Sequence, residues 1–239
     1  MGGTTLPGEA FLRANLPGYA LIDPAQPTKL PLEARDFGIY VGFIFTWLYI
    51  NALGRGRAKG MPLFPMLLYL VIFVAIMGAD GVNALLYDLH QNAPVIPYLY
   101  TPLLELRLAT GLLCGFAFGG IMTPVVNYTL WRGDDTRPVI GTWKQFLGGL
   151  GVMAVLFLMN YSEIGLFYWP LAIITSSATV ILIAMINMVF VLSISGKEGS
   201  AVTWRDALNP FAVAVILAIA ELGVLSLMRY AVLGTAVLP

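Results

Sequence analysis

The chain has 239 residues, of which 59% are apolar and only 11% are charged, and its mean hydropathy is +0.82. Soluble domains carry roughly 25% charged residues, so these few charges cannot cover a water-facing surface and lipid must cover much of the protein. The 13 basic and 13 acidic residues give a formal net charge of zero, which excludes strong electrostatic attraction to nucleic acid.

The sequence contains one cysteine, Cys114, and one histidine, His90. A lone cysteine cannot build a disulfide framework or a paired redox site, and a lone histidine cannot build a multi-histidine metal site. We therefore expect neither a bound metal nor a cofactor.

Residues 1–33 are predicted to form an extended, polar, proline-rich arm. Proline lacks the N–H that a helix interior needs, and five prolines exclude a long helix here: Pro7, Pro17, Pro24, Pro27 and Pro31. We expect this arm to lie on the non-cytoplasmic side and to contact other membrane subunits.

Six long apolar segments follow the arm. A helix needs about 20 mainly apolar residues to cross a bilayer, and the candidates are residues 36–54, 63–87, 102–131, 142–161, 166–195 and 210–233. The sequence thus predicts an all-α, polytopic membrane bundle with about six transmembrane helices. We divide it into a three-helix unit, 34–131, and three further helices, 132–239. Pro210 is predicted to begin the sixth helix, where its missing N–H costs nothing.

The distribution of basic residues predicts the orientation of the bundle. The loops after the first, third and fifth segments carry eight: Arg55, Arg57, Lys59, Arg132, Arg137, Lys144, Lys197 and Arg205. The loops after the second and fourth segments carry none. Because short cytoplasmic loops are enriched in Lys and Arg, we expect both termini to be non-cytoplasmic, in a multi-pass protein of the inner (plasma) membrane.

The third segment contains two overlapping GxxxG steps, formed by Gly111, Gly115 and Gly119. Glycines four residues apart line one helix face and allow another helix to approach closely. We interpret this pattern as a packing face. Arg107 lies four residues before Gly111, on the same face, and needs a partner there.

The best partner for Arg107 is Asp80, about six residues from the predicted outer end of the second helix. Consecutive antiparallel helices place both charges at similar depth, in a polar cluster near the outer leaflet. The predicted cluster comprises Arg35, Asp36, Tyr40, Asp80, Asn83, Glu105 and Arg107. Ionisable residues inside a membrane are costly and often functional. Two interpretations stay open, a structural ion pair and a ligand-binding site.

Glu221 is a second intramembrane carboxyl, near the middle of the sixth segment. Ala214 and Ala218 share its face, so we expect that face to pack inward. Ser176, Ser177 and Thr179 of the fifth segment lie at similar depth and are its predicted partners. Three roles stay open: carrying protons, contacting a partner subunit, or making a hydrogen bond.

No catalytic motif is present: there is no GxSxG, HExxH, phosphate-binding loop or CxxC. The pair Asp134 and Asp135 lies in a turn between basic residues, which is typical of a solvated loop. The sequence therefore favours a protein that is not an enzyme, and a lipid-modifying enzyme has the least support.

Three motifs of the first half resemble those of a family of small bacterial membrane proteins of unknown function, domain of unknown function 2085. They are residues 34–43 (ARDFGIYVGF), the pair Asp80 and Gly81, and residues 106–111 (LRLATG). The resemblance covers residues of about 30–125. Family members usually carry cysteines before the first helix, whereas Glu33 stands near one such position here. The resemblance implies no activity.

Two functions remain in view. The first is a non-catalytic membrane subunit or scaffold of a larger complex, which draws on the arm and the glycine face. The alternative is a small transporter or lipid-binding protein that uses the outer polar cluster. Membrane lipids are expected partners in both.

Overall fold

The computed structural model describes residues 33–161 and 168–233, so the predicted arm before Glu33 and residues 162–167 and 234–239 lie outside it. The described part is all-α. Six helices follow one another: α1 (Ala34–Ala52), α2 (Phe64–Asn92), α3 (Leu104–Leu130), α4 (Trp143–Tyr161), α5 (Tyr168–Ile194) and α6 (Trp204–Leu233). Each corresponds to one of the six predicted segments.

Five of the helices described here, α2 to α6, are long and apolar enough to cross a membrane. The first, α1, has 19 residues and begins with Arg35 and Asp36. It lies along α3, and the contact between these two helices is the most extensive in the described fold. The fold therefore places α1 beside a helix that can span the bilayer.

Two helix boundaries differ from the prediction. α2 continues to Asn92, five residues beyond 87. α6 begins at Trp204 because the Asp206 carboxylate accepts hydrogen bonds from the backbone N–H groups of Val202 (3.0 Å) and Thr203 (2.7 Å). These bonds satisfy donors that a helix start leaves free. The prediction that Pro210 begins this helix is therefore wrong, since Pro210 lies inside it.

α1 and α3 meet backbone to backbone. A Cβ added at Gly38 of α1 would lie 2.7 Å from the Leu112 nitrogen, and one at Gly42 would lie 2.8 Å from the Leu112 carbonyl oxygen. On α3, a Cβ at Gly115 would overlap the carbonyl oxygen of Ile39, and one at Gly119 would overlap Thr46. Glycines on both helices permit this approach, so the two helices run parallel with almost no side chain between them.

The fifth and sixth helices pack mainly on each other, with a smaller contact of α5 to α1 and α3. Ala214 and Ala218 of α6 are fully buried, as small residues on an inward face should be. The helices differ greatly in burial: 67% of the apolar stretch of α3 is buried, against 11% of that of α6. α3 is thus central and α6 peripheral among the described helices.

The three basic loops join one another at one end of the bundle. Gly60 pairs with Pro138 and Trp131 with Ala201 in short parallel bridges. The Arg132 N–H donates to the Ala201 carbonyl at 2.7 Å, and the side-chain amide of Asn127 donates to the Ala58 carbonyl at 2.8 Å. Backbone hydrogen bonds between loops therefore fix the ends of α1, α3 and α5 relative to one another.

Candidate functional site

Asp80 of α2 lies at the centre of a polar cluster and is 3% exposed. Its Oδ2 accepts a hydrogen bond from the Arg35 Nη2 of α1 at 2.7 Å, and its Oδ1 accepts one from the Tyr100 hydroxyl at 2.6 Å. The Thr110 hydroxyl of α3 lies 3.5 Å from Oδ2. Both carboxylate oxygens are therefore paired, and one side chain connects α1, α2, α3 and the loop before α3.

Tyr100 reaches Asp80 because the loop 93–103 folds back along α2. Asp80 lies twelve residues before the end of α2, roughly 18 Å at 1.5 Å per residue. The Asn83 side chain holds the returning chain: its Oδ1 accepts from the Leu99 N–H (2.8 Å), and its Nδ2 donates to the Tyr100 carbonyl (2.9 Å). Burial and the hydrogen bond to Asp80 raise the pKa of the Tyr100 phenol, so it stays a donor.

Arg107 does not pair directly with Asp80, so the predicted Asp80–Arg107 ion pair is wrong in its choice of arginine. Arg35 occupies that position because α1 lies against the start of α3 at Gly111, whose added Cβ would overlap the Arg35 carbonyl oxygen. Arg107 still interacts electrostatically with Asp80 at longer range. Its Nε is buried and has no hydrogen-bond partner among the described residues.

Three other members of the predicted cluster lie apart from Asp80. Asp36 is exposed at the start of α1, and Glu105 is exposed in the first turn of α3. Tyr40 is partly buried and packs against the apolar cluster that α5 and α6 share with α1 and α3. The structure therefore brings together Arg35, Asp80 and Asn83, with Arg107 nearby.

Sequence reasoning missed Tyr100 and Thr110 as partners of Asp80. Thr110 stands between Arg107 and Gly111, so its place on the packed face of α3 was readable from helical spacing. Tyr100 had no such signal, because its position depends on the loop folding back along α2. The preference of tyrosine for membrane interfaces predicts only its depth.

The paired groups of this cluster suit a structural role. Two arginine Nε donors without a partner among the described residues suit anion binding instead. The Nε atoms of Arg35 and Arg107 are both buried without a partner in the described ranges. Arg35 pairs with Asp80 and also interacts electrostatically with Asp36, whereas Arg107 interacts with Asp80 only at longer range. Arginine pairs preferentially with carboxylate and phosphate groups.

Glu221 of α6 is exposed rather than buried, although Ala214 and Ala218 on the same helix pack inward. Its Oε2 accepts a hydrogen bond from the Asn187 side chain of α5 at 3.2 Å. The predicted serine and threonine partners bond within their own helix instead: Ser176 to the Ala172 carbonyl and Thr179 to the Thr175 carbonyl. The prediction that this face of α6 packs inward is therefore confirmed at Ala214 and Ala218, but the expected burial of the Glu221 carboxyl is wrong, and its partner is Asn187.

The described residues form an all-helical membrane protein, in which the five helices α2 to α6 are long and apolar enough to cross a bilayer. Residues 26–121 match the family model described as "Predicted membrane protein (DUF2085)", which confirms the resemblance seen in the motifs. The matched range includes α1, α2, most of α3 and every residue that contacts Asp80. No curated protein and no solved structure matched the chain.

Proposed function

We propose that this chain is a non-catalytic integral membrane subunit or scaffold of a larger membrane protein complex, and that the exposed part of α6 around Glu221 contacts the partner. The observation that carries the proposal is the exposed carboxyl of Glu221 near the middle of α6. A carboxyl at that depth is costly to leave against lipid. A partner helix that supplies a hydrogen-bonding group would remove this cost.

The surroundings of Glu221 support a protein contact. At spacings of three, four and seven residues along α6, Leu217, Val224, Leu225 and Met228 are apolar and exposed, whereas Ala214 and Ala218 on the same face are buried. One polar group within an apolar helix face specifies register and partner in membrane helix pairs. The Asn187 amide supplies one hydrogen bond and leaves the rest of the carboxyl accessible.

A non-catalytic role is supported by the way Asp80 is used. Both oxygens of this buried carboxylate are occupied by donors from the fold itself, the Arg35 guanidinium and the Tyr100 hydroxyl. A general acid or base needs a free oxygen within hydrogen-bond reach of a substrate. Asp80 therefore serves the packing of α1, α2 and α3.

Site-specific photo-cross-linking in native membranes tests the proposal. A photoreactive amino acid at Leu225 reports on the Glu221 face, and one at Val71, an exposed residue of α2, is the control. We expect one defined protein adduct from Leu225 that disappears in Glu221→Leu and persists in Glu221→Gln. Lipid adducts alone at Leu225, equal to those at Val71, contradict the subunit role.

A second candidate function is lipid or anion binding at the outer polar cluster, in a lipid-binding protein or small transporter. The unpaired Nε atoms of Arg35 and Arg107 favour it. Binding of a radiolabelled phospholipid to purified protein should fall in Arg107→Gln and stay unchanged in Arg137→Gln, which removes an exposed arginine from the loop after α3. Equal binding by wild type and Arg107→Gln rejects this function.

A further inference from the structure

An apolar cavity of about 300 Å³ lies between α1, α3, α5 and α6, next to the basic loops. Its walls include Trp47, Met185, Met188 and Phe211. Methionine side chains are flexible and polarizable, so they adapt to an apolar chain of variable shape. The volume is at the lower end of the range for small-molecule sites, which suits a narrow chain better than a bulky ring system.

A cation lies at the edge of this cavity. The Arg57 guanidinium carbon is 4.0 Å from the ring centroid of Trp131 and 5.6 Å from that of Trp204, and both tryptophans line the cavity. Arg57 is exposed, and its Nη1 donates to the Val202 carbonyl at 3.3 Å. Because an arginine has five N–H donors, most of those on Arg57 remain available to an anion.

The surrounding loops are positively charged. Their eight basic residues, named above, face four acidic ones, Asp134, Asp135, Glu198 and Asp206, which leaves a net charge of +4. Three of the four have a partner: Asp135 binds Arg137, Asp206 caps α6, and Glu198 accepts a hydrogen bond from the Ser193 hydroxyl. Apolar walls with a cationic edge match a molecule that has an apolar chain and an anionic head.

We propose that the cavity holds one acyl chain of an anionic phospholipid, with the lipid phosphate bound by Arg57 at its edge. Basic pockets between transmembrane helices bind anionic head groups in this way. Trp131 and Trp204 hold the guanidinium in place through their ring faces. In the proposed orientation of the bundle, the lipid belongs to the cytoplasmic leaflet, where anionic lipids attract basic residues.

Native mass spectrometry of the purified full chain in detergent tests this site with two lipids that share the same acyl chains. We expect phosphatidylglycerol to be retained roughly fivefold better than phosphatidylcholine, the factor expected for one well-placed cation. Arg57→Gln should abolish this preference, whereas Arg57→Lys should keep most of it. Arg137→Gln removes an exposed charge from a neighbouring loop and should change nothing.

A second pair of variants tests the cavity itself. Leu208 lines the cavity and Leu225 does not, yet both are 61% exposed on α6. Leu208→Trp should fill the cavity and lower retention of both lipids about fivefold, while Leu225→Trp should leave it unchanged. Circular dichroism and gel filtration establish that each variant is folded.

Four results overturn the proposal. Equal retention of the two lipids by wild type rejects an anionic lipid. Equal losses in Arg57→Gln and Arg137→Gln show a diffuse surface charge instead of a site. Unchanged retention in Leu208→Trp shows that the chain binds outside the cavity, and a photoreactive acyl chain that labels no cavity peptide has the same meaning.

Discussion

The first three helices and the last three are held together by different means. α1 and α3 share a glycine-lined backbone contact, and Asp80 joins both to α2 with its two oxygens paired. α6 packs mainly on α5 and leaves the Glu221 carboxyl exposed. Each half thus has one intramembrane carboxyl, but only Asp80 is enclosed by its own fold. The role of an intramembrane carboxyl therefore depends on the groups that surround it.

The largest expected effect comes from removing the enclosed carboxyl. Asp80→Leu leaves Arg35 buried without its counter-charge, which should cost about 3–5 kcal/mol of unfolding free energy. The double variant with Arg35→Leu should recover part of this loss, and the one with Arg107→Leu should recover less. Denaturant titration in mixed micelles gives the coupling energies, and strictly additive losses for Asp80 and Arg35 would disprove the ion pair.

The glycine contact should come next. Gly115→Val places a side chain against the Ile39 carbonyl and the Gly42 Cα, and backbone cannot move aside as a flexible side chain does. We expect a loss of about 3 kcal/mol, at the upper end of the overpacking range. The matched control is Gly223→Val in α6, which has no heavy atom within 4 Å of an added Cβ and should lose little stability. Similar losses of stability in both variants would show that the two halves of the protein do not differ in how closely their helices pack.

Removing the exposed carboxyl should barely affect stability. Glu221→Leu loses one interhelical hydrogen bond from Asn187, and such bonds between membrane helices average about 0.6 kcal/mol. The thermal unfolding midpoint of the isolated chain should therefore stay close to wild type, although its cross-link to the proposed partner is lost. A destabilisation as large as that of Asp80→Leu would show that Glu221 serves the fold.

The smallest effect concerns an exposed ion pair in the loop that links the two halves. Hydrogen bonds from the Arg137 side chain at 2.8 Å lower the pKa of the Asp135 carboxyl. A carboxyl whose pKa is lowered by folding stabilises the protein above its usual pKa near 4, and this stabilisation is lost as pH falls through the lowered value.

Solvent screens this pair, since the two side chains are 29% and 62% exposed. We therefore expect Asp135→Asn to lower the unfolding midpoint slightly at pH 7 and not at all at pH 2. A larger difference at the lower pH would contradict the sign of the shift.

Most of the helical fold was predictable from the sequence because hydropathy identifies long apolar helices well. The packing face of Gly111, Gly115 and Gly119 was also predictable, since glycine spacing shows which face allows close approach. The ends of α2 and α6 were not. α6 begins at an Asp206 cap within a polar loop, and α2 continues through Tyr87, Asp88 and His90, which hydropathy assigns to water.

The pairing within the polar cluster was less predictable than its members. Depth along the helices placed Arg35, Asp80 and Arg107 at similar levels, but it could not decide which of the two arginines pairs with Asp80. The parallel contact of α1 with α3 decides in favour of Arg35, and that contact depends on glycines of both helices. The exposure of Glu221 was also not predictable, because the sequence of α6 does not indicate how few helices surround this helix.

The contact between α1 and α3 also has a consequence for the order of assembly. α1 begins with two charged residues, and its stabilising neighbours are Asp80 of α2 and the glycine face of α3, which lie 45 and more residues further along the chain. A ribosome must therefore synthesise α2 and most of α3 before α1 has its native surroundings. During translation α1 can therefore reach its native contacts only after α3 has emerged.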